Sequence, residues 1–440
     1  MSPLTAARLQ MELSLGFHMI FASVGMALPV MLLIVERRWM RTGDPDALAL
    51  AKTWSKATAV LFAIGAVSGT ALSFELGLLW PRFMAMAGPL IGPAFALEGY
   101  AFFVEAIFLG LYLYGWDRLT PKAHWWCGVA VAASGVASGV LVLSANAWMQ
   151  DPVGFQRGAG GTVTSIEPLA ALFNPGWLIM AVHSTVATYQ AVGFAAAGLY
   201  ACALLRGSRH RTIQYHSLGL RTAMILAVAA ALLQPVSGDR LAKRAYHRQP
   251  IKLAAMEGHF TTERCAPLRI GGLPDPDART IRYSIDLPCG LSFLSTGDPD
   301  AEILGLEQFP RDHWPNVVVT HLAFQVMVGA GVMMLAAAAW YVLERVRARP
   351  VPDARLSRPL LTTLGICTPL GFAALEAGWV VTEAGRQPWV IYGILRTADA
   401  VTPVDDVAGS LAVFTLLYLT LAAIVVAFLR RLARGSLPHS

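Results

Sequence analysis

Two glutamates stand seven residues apart in a run of apolar and aromatic residues. The stretch ALEGYAFFVEAIF covers residues 96 to 108 and contains Glu98 and Glu105. Seven residues at about 100° each come to roughly 700°, so both carboxylates lie on one face if the stretch is helical. A buried carboxyl group can take up a proton where water is scarce and pass it on. The spacing therefore favours acid–base chemistry inside an apolar region.

Other residues with ligand or acid–base chemistry lie in similarly apolar runs, namely His18, Glu75, His183, His321, Met327 and Glu376. Each alone has an ordinary explanation, such as helix–helix hydrogen bonding for a histidine or core packing for a methionine. Together, imidazole and thioether without a cysteine cluster suit haem iron, where a His/Met pair gives a six-coordinate electron-transfer haem. A zinc site would need three or four clustered ligands, which these runs do not offer in sequence.

The elements that must position these residues are membrane-spanning helices. Hydrophobic residues make up 55% of the 440 residues and charged residues only 14%, whereas a soluble domain carries about 25% charged residues. Runs of about 20 apolar residues recur, and each is long enough to cross a bilayer core of about 30 Å. The sequence predicts an all-α polytopic membrane protein of about nine helices arranged as bundles, with spans at 13–35, 57–79, 90–115, 124–147, 176–205, 217–237, 317–343, 359–382 and 409–429.

Basic residues indicate the orientation of these spans. They are concentrated in the short connections on one side, which the positive-inside rule assigns to the cytoplasm. We therefore expect the N-terminus outside and the C-terminus in the cytoplasm. The ligand-type residues then gather in the outer half of the membrane, which indicates a functional site. The net charge of +6 follows from this topology, and binding to nucleic acid is not needed to explain it.

The segment 238–316 is the one sizeable part outside the predicted spans. It is rich in Pro, Gly, Asp and Arg, and it divides the chain into membrane helices at 1–237, an outer loop at 238–316 and membrane helices at 317–440. A connection of this length is usually functional or disordered. Cys265 and Cys289 lie in it, on the side where disulfides persist, and either a bridge or two free thiols fits the sequence.

Five motifs resemble one known family. They are ARLQMELSLGFHMIF at 7–21, GYAFFVEAIFLGLYLYGWDRL at 99–119, SANAWMQDPVG at 144–154, IKLAAMEG at 251–258 and LEAGWVVTEAGRQPW at 375–389. The chain resembles subunit I of the cytochrome bd-type quinol oxidases over nearly its whole length. The resemblance implies a protein of the bacterial or archaeal plasma membrane that oxidises membrane quinol on the outer side. It also implies reduction of O2 to water with protons from the cytoplasm, which generates a membrane potential without pumping.

The haem ligands of the family match four positions. The resemblance implies that His183 and Met327 are the axial ligands of a low-spin haem b. It also implies that His18 and Glu376 bind the iron atoms of two high-spin haems, one a haem b and the other a haem d or a further haem b. His321 lies on the same predicted span as Met327 and is its rival as a ligand.

Further positions match the acid–base and quinol-binding residues of the family. Glu98 and Glu105 resemble the buried acidic pair of the oxygen-reducing site. Ser138 and Asn146 resemble the lining of a proton path. In KLAAMEG, Lys252 and Glu257 match the quinol-contacting pair on the outer loop. The motifs that flank the haems contribute Asn146, Trp148, Arg386, Gln387 and Trp389.

The resemblance also implies a partner chain. The family forms a membrane heterodimer with a cytochrome bd-type subunit II, and small single-span accessory subunits are added in some complexes.

Some positions depart from the family pattern. The acidic pair is usually spaced by eight residues but here by seven, Gln325 stands where an arginine is common, and FELGLLW at 74–80 adds Glu75. The loop before span 7 also lacks the long insertion of some members.

Two other functions remain open from the residues alone. A non-catalytic transmembrane haem electron carrier would need His183 and Met327, but not His18, Glu105 and Glu376. A proton-coupled transporter would place its sites near the midplane, often in repeated halves, and this sequence shows no repeat. Neither the haem complement nor the choice between ubiquinol and menaquinol follows from the sequence.

Overall fold

The computed structural model describes residues 1–158, 163–207, 211–347 and 356–433, and α-helices dominate these residues. In chain order the helices are α1 (Pro3–Thr42), α2 (Pro45–Leu79), α3 (Pro81–Tyr114), α4 (Pro121–Gln150), α5 (Pro168–Leu172), α6 (Trp177–Arg206), α7 (Ile213–Arg248), α8 (Pro250–Glu257), α9 (Gly290–Thr296), α10 (Val317–Arg347), α11 (Arg358–Ala384), α12 (Thr397–Ala400) and α13 (Val407–Ala433). Among the described residues, nine helices are long and apolar enough to cross a membrane, namely all but α5, α8, α9 and α12. The predicted all-α fold with nine spans is confirmed.

The spanning helices extend beyond the apolar runs because caps, not hydropathy, set their ends. Ser2, Asp44 and Thr120 each accept a hydrogen bond from a backbone N–H in the first turn of the helix that follows. Each is followed by a proline, which fits the first helical position because no hydrogen bond is lost there. Helix α1 accordingly begins at Pro3 and ends at Thr42, although its apolar run covers only 13–35.

The helices pack as two connected bundles. The first bundle consists of α1 to α4 in sequence order, and the second consists of α6, α7, α10 and α11. The most extensive helix–helix contacts are those of α6 with α7, α3 with α4, α11 with α6, and α1 with α2. Helix α1 also contacts α6 and α13, so it joins the two bundles. The main apolar core lies along this junction and includes buried side chains such as Met31, Phe194 and Leu364.

Helix α7 continues well past the end of its apolar run at residue 237. Its last three turns are polar and are stabilised by ion pairs, one of them within the helix, between Lys243 and Asp239 at 2.9 Å. Arg244 pairs with Asp151 in the connection that follows α4. The helix therefore rises out of the bundle to Arg248 and carries part of the long connection with it.

The connection between α7 and α10 is folded. The strands of the chain are β1 (Gln156–Arg157), β2 (Val163–Thr164), β3 (Glu263–Arg264), β4 (Leu268–Ile270), β5 (Leu273–Asp275), β6 (Thr280–Arg282), β7 (Ile285–Leu287), β8 (Glu302–Ile303), β9 (Trp389–Ile391) and β10 (Leu395–Arg396). Three antiparallel pairs lie in this connection, β3 with β8, β4 with β7 and β5 with β6. Cys265 and Cys289 form a disulfide, so of the two alternatives left by the sequence the structure has the bridge. We call the end of the bundle that carries this connection the loop end.

Candidate functional site

A large cavity opens among the helices and extends to the loop end. Its volume is about 1810 Å³, well above the roughly 300–1,000 Å³ of a pocket for one drug-sized ligand. Side chains from both bundles and from α8 line it. Eleven of the site residues predicted from the sequence are among them, namely His18, Glu98, Glu105, Asn146, His183, Lys252, Glu257, Met327, Glu376, Arg386 and Gln387.

Trp148 and Trp389, which belong to the predicted haem-flanking motifs, lie outside the lining. Trp148 is buried, and its Nε1 donates to the carbonyl of Val153 at 2.8 Å, so it holds the end of α4 in place. Trp389 lies in β9, where the ring of His313 packs against it and the guanidinium of Arg396 lies 5.3 Å from the ring centroid. Both tryptophans shape the loop end behind the cavity wall.

His18 is held with one ring nitrogen available to a ligand. Its Nδ1 lies 3.0 Å from Ser68 Oγ, and that hydroxyl donates its own hydrogen to the carbonyl of Ile64 at 2.9 Å. Ser68 Oγ must therefore accept from Nδ1–H, which leaves the lone pair of Nε2 free. A histidine that donates its other N–H in this way has the tautomer and orientation of a metal ligand.

His183 is positioned by the same kind of histidine–serine hydrogen bond, here between α6 and α7. Its Nδ1 lies 3.0 Å from Ser237 Oγ, which donates to the carbonyl of Gln234 at 3.0 Å. The remaining lone pair is again that of Nε2, and it accepts a hydrogen bond from the amide nitrogen of Gln234 at 3.3 Å. Met327 on α10 lines the same cavity. The helices α6 and α10 therefore bring an imidazole and a thioether to one space.

His321, the rival of Met327, is fully buried outside the cavity lining. Its Nδ1 lies 2.8 Å from the carbonyl oxygen of Met256, and its Nε2 lies 3.1 Å from that of Gly271. Both nitrogens thus face backbone carbonyls of the long connection, and the ring N–H donates to one of them. The geometry favours Met327 over His321 as a candidate iron ligand. The hydrogen bonding of His321 instead attaches α10 to that connection.

Several buried polar atoms of the lining have no hydrogen-bond partner within the described residues. They are Asn146 Oδ1, Gln234 Oε1, Glu257 Oε2, Glu376 Oε1, Trp379 Nε1 and Arg386 Nη1. Buried polar groups are nearly always paired, so a cluster of this kind indicates bound polar or metal-containing groups. Glu376 fits iron in particular, because its free carboxylate oxygen is a hard anionic donor on a helix wall.

The donor set fits haem better than a metal ion held by protein alone. Within the described parts of the chain, no three His, Cys, Asp or Glu side chains lie close enough together to hold an ion. A porphyrin supplies four nitrogens itself and needs only one or two protein ligands. His18, His183, Met327 and Glu376 meet that requirement, and the cavity has room for more than one such group.

The acidic pair lies along the contact between α3 and α4. Ser138 Oγ donates to Glu98 Oε1 at 3.3 Å. Glu105 is 4% exposed and lies against Gly135. The sequence places both in the outer half of the membrane, but Glu105 lies nearer to Tyr114, at the far end of α3, than to Pro81 at the loop end. Helix α3 begins at Pro81, well before its predicted apolar run at 90–115, and the depth of the pair in the membrane stays a prediction.

Glu75, the extra carboxylate of the FELGLLW stretch, is buried near the loop end of α2. Ser14 Oγ on α1 donates to its Oε1 at 2.8 Å. This carboxylate does not line the large cavity. Its contact joins α1 to α2 beside the segment that carries His18.

A network that the sequence indicated only in part surrounds Arg386. This guanidinium is 2% exposed and pairs with Glu383 one turn earlier. Asn146 Nδ2 donates to the same carboxylate at 2.7 Å, and Gln387 Oε1 accepts from Thr397 at 2.8 Å. Sequence reasoning missed Glu383, although its i,i+3 spacing from Arg386 within the GRQPW motif could have revealed it.

Lys252 and Glu257 are buried on α8 rather than exposed on a mobile loop. Lys252 Nζ donates to Gln150 Oε1 and to the carbonyl of Thr382, both at 3.1 Å. Burial lowers the pKa of Lys252 to about 7, and nearby Arg386 adds to the effect. Burial raises the pKa of Glu257 to about 7 against the opposing charge of Arg269. Both groups can therefore exchange protons near neutral pH, next to the cavity that the ligand-type residues also line.

Comparison with known proteins agrees with this arrangement. The profile of the family described as cytochrome bd terminal oxidase subunit I matches residues 6–437. A relative from Bacillus subtilis (strain 168), named putative cytochrome bd menaquinol oxidase subunit I, is 35% identical over 427 residues, which cover 97% of this chain and 95% of the relative. A second protein of that organism, cytochrome bd ubiquinol oxidase subunit 1, is 30% identical and covers 99% and 95% of the two chains.

A solved structure is similar over the whole chain. It is the bd oxidase from Geobacillus thermodenitrificans, which superposes with a TM-score of 0.91 at 35% sequence identity and covers 99% of each chain. These matches confirm the nine-helix architecture and the resemblance to the family.

Proposed function

The chain belongs to the cytochrome bd terminal oxidase subunit I family, and on this premise we propose how its residues divide the reaction of a quinol oxidase. The protein is a multi-pass membrane protein of a haem-containing enzyme that oxidises quinol. The observation that carries the proposal is the large cavity. It brings candidate haem ligands from four helices together with a buried acid–base pair on α8.

We assign the haem ligands as the sequence suggested. His183 and Met327 would hold the iron of a low-spin haem b. His18 and Glu376 each bind the iron of a high-spin haem, one a haem b and the other a haem d or a further haem b. When bound, the three haems would carry electrons, and only the high-spin haems would offer an open position to oxygen. The serine bonds to His18 and His183 and the unpartnered oxygen of Glu376 support this assignment.

Quinol is oxidised beside α8. Glu257, ionised, accepts a proton from a quinol hydroxyl, and Lys252, protonated, stabilises the negative charge that develops on the quinol oxygen. Asn146, Glu383, Arg386 and Gln387 line the cavity wall beside α8. Arg386 holds its positive charge inside that wall, where it can balance anionic groups such as haem propionates.

The loop end faces outward, and the C-terminus lies in the cytoplasm. The opposite end of the bundle carries the basic helix ends, including Arg41 in α1, Arg206 in α6 and Arg430 in α13, as the positive-inside rule requires. Quinol protons are then released outside. Protons for water come from the cytoplasm through Glu105 and Glu98, with Ser138 bonded to the latter. This separation generates a membrane potential without pumping.

A cytochrome bd-type subunit II is the partner in a membrane heterodimer, with small single-span subunits as further additions. Helices α3 and α13 leave large apolar side chains uncovered within the described chain, among them Tyr100, Phe103 and Leu416. The substrate is proposed as membrane quinol in general, since the two named Bacillus relatives include a menaquinol and a ubiquinol oxidase.

Optical spectra of the purified oxidase test this proposal. Reduced-minus-oxidised spectra should show one low-spin haem b together with high-spin haem. Carbon monoxide added to the reduced protein should shift only the high-spin bands, because only those irons have an open position. A protein that contains low-spin haem but does not respond to carbon monoxide would be an electron carrier. A protein without haem would contradict the assignment altogether.

A further inference from the structure

A buried cluster of three polar side chains lies at the end of the bundle opposite the loops. Glu36 on α1 is 0% exposed, and Tyr112 on α3 and His124 on α4 are each 2% exposed. Tyr112 donates its hydroxyl hydrogen to Glu36 Oε2 at 2.6 Å. His124 Nδ1 lies 2.7 Å from Glu36 Oε1. The cluster lies outside the large cavity and has no part in the function proposed above.

The hydrogen bonds of the cluster place one exchangeable proton in it. His124 Nε2 lies 2.8 Å from the carbonyl oxygen of Tyr112, and a carbonyl can only accept, so Nε2 carries a hydrogen. The phenol hydrogen is used on Glu36 Oε2. A single further proton then sits between His124 Nδ1 and Glu36 Oε1, on one atom or the other. An imidazole and a carboxylate that share a proton can release it and take up another.

A line of polar positions leads from this cluster to the large cavity. Tyr112, Glu105 and Glu98 follow one another at steps of seven residues, so all three lie on one face of α3. Helix α4 packs against that face, with Gly135 beside Glu105 and Ser138 bonded to Glu98. The seam between the two helices therefore joins the buried cluster to the acidic pair.

A small hollow of about 10 Å³ lies beside Tyr112, on the side of Leu109, and its volume is close to the smallest that holds one water molecule. Thr58, Tyr112 and Pro29 are among the residues that line it. Pro29 has no N–H, so it cannot bond to the carbonyl of Gly25 one turn earlier in α1. A Cβ on Gly25 would lie 3.9 Å from Glu105 Oε1, so this turn of α1 lies beside the Glu105 carboxylate.

The cluster lies close to the surface at that end. Trp116 lies in the short connection between α3 and α4, and its ring centroid is 4.1 Å from that of His124. Lys52 Nζ lies 5.5 Å from the same tryptophan ring, and the neighbouring Asp117 is exposed. A proton from water therefore has to pass only this one connection to reach His124.

We propose that Glu36, Tyr112 and His124 form the proton-loading site of this subunit, which delivers protons from the cytoplasmic side to Glu105. The shared proton leaves Glu36 Oε1 or His124 Nδ1, passes through a water molecule in the hollow and protonates the Glu105 carboxylate. A proton from the cytoplasm then replaces it in the cluster. The inference rests on the proposed function, because it takes the orientation of the helices and the role of Glu105 from there.

The test compares Glu36→Gln with Glu344→Gln in the oxidase complex purified from membranes. Glu344 is a matched control: it is a half-buried carboxylate at the same end of the bundle, bonded to Ser357 on a different pair of helices. Glu36→Gln should lower oxygen uptake per haem by about tenfold or more, since a positioned proton donor contributes at least that much. It should leave the low-spin spectrum and the anaerobic reduction of haem by quinol unchanged. Glu344→Gln should keep the parental rate.

The solvent isotope effect distinguishes proton delivery from a structural role. In heavy water, oxygen uptake by Glu36→Gln should slow by a larger factor than uptake by the parent, because proton arrival then limits the rate. A variant that loses activity only in proportion to lost haem, with the parental isotope effect, would make the cluster a helix clamp. Full haem content with the parental rate would also overturn the proposal.

Two further variants complete the design. If Glu36→Gln does not assemble with haem, Thr58→Val decides the question, since it removes the hydroxyl at the hollow but keeps the side-chain volume. Slower uptake with full haem supports the path, and parental uptake rejects it. Glu105→Gln distinguishes a failure of the proton-loading site from a failure of the proposed function. If it is inactive while Glu36→Gln is fully active, protons enter elsewhere and the proposed function stands; if both are fully active, the role of Glu105 is also wrong.

Discussion

Gly69 on α2 lies so close to His18 on α1 that a Cβ on Gly69 would be 2.9 Å from His18 Cε1. Real side chains do not approach so closely, so the absence of a side chain at this position allows the imidazole to stand against α2. The next residue back, Ser68, accepts the hydrogen bond from His18 Nδ1. One turn of α2 therefore sets both the position and the tautomer of the ring.

A substitution of Gly69 by alanine should displace His18 and disturb the haem proposed to bind there. We expect loss or a changed spectrum of one high-spin haem, with the low-spin haem unaffected, in optical spectra of the reduced protein. Gly77→Ala on the same helix is the control, because a Cβ there meets nothing within 4 Å. Alanine is favoured over glycine in a helix by roughly 0.5–1 kcal/mol, so the control should assemble normally. Equal spectra for both variants would contradict the role of His18.

Met327→Leu should convert the low-spin haem to high-spin or empty its site. Leucine keeps the apolar volume of the side chain but offers no sulfur to the iron, so only the ligation changes. The measurement is the absorption spectrum of the reduced protein and its response to carbon monoxide, which a five-coordinate iron would bind. His321→Gln is the comparison, because both nitrogens of His321 already face backbone carbonyls. A low-spin spectrum retained in Met327→Leu and lost in His321→Gln would reverse the assignment.

The parts of this structure that follow from hydropathy could be predicted, and those that follow from packing could not. Apolar runs located the nine helices, and residue type located His18, His183 and Glu376 within them. The pairing of Glu36 with His124 escaped notice because both lie near span ends, where a charged residue normally faces the headgroups. Their burial depends on how three helices meet, which no local pattern records.

The pH profile of oxygen uptake with saturating quinol should be bell-shaped, with its maximum near pH 7. Burial lowers the pKa of Lys252 to about 7, so the lysine is charged below that pH and neutral above it. Burial raises the pKa of Glu257 to about 7, so the carboxylate is ionised above that pH and neutral below it. Quinol oxidation needs charged lysine and ionised glutamate, so each limb falls as one of them is lost. A rate that is flat from pH 5 to about pH 9 would contradict the assignment.

Glu257→Ala should lower quinol-driven oxygen uptake by about 100-fold through loss of the proton acceptor. The haem spectrum and carbon monoxide binding should stay at their parental values, because Glu257 is on α8 and is not a proposed iron ligand. Glu263→Ala is a control in the same connection, where the carboxylate is half-exposed and lies 3.7 Å from Arg269. If Glu257→Ala has parental activity with saturating quinol, the quinol site lies elsewhere.

Glu105→Gln should suppress oxygen reduction strongly, by about 100-fold or more, because it keeps the shape of the side chain and removes the proton that can be passed on. When a haem iron gains an electron in a low-dielectric site, the added negative charge is costly unless a proton arrives with it. Glu105 is suited to deliver that proton, since it is buried against Gly135 and lies on the same face of α3 as Glu98. The measurement is oxygen uptake per haem with saturating quinol.

Glu98→Gln should lower oxygen uptake less than Glu105→Gln. The carboxylate of Glu98 accepts a hydrogen bond from the hydroxyl of Ser138, and a glutamine can keep that bond. Anaerobic reduction of the low-spin haem by quinol should be normal in both variants, since electrons enter from the loop end. Slow oxygen uptake with normal haem reduction then places the defect in proton delivery. A Glu105→Gln enzyme with full haem content and undiminished oxygen uptake would reduce this carboxylate to a packing residue.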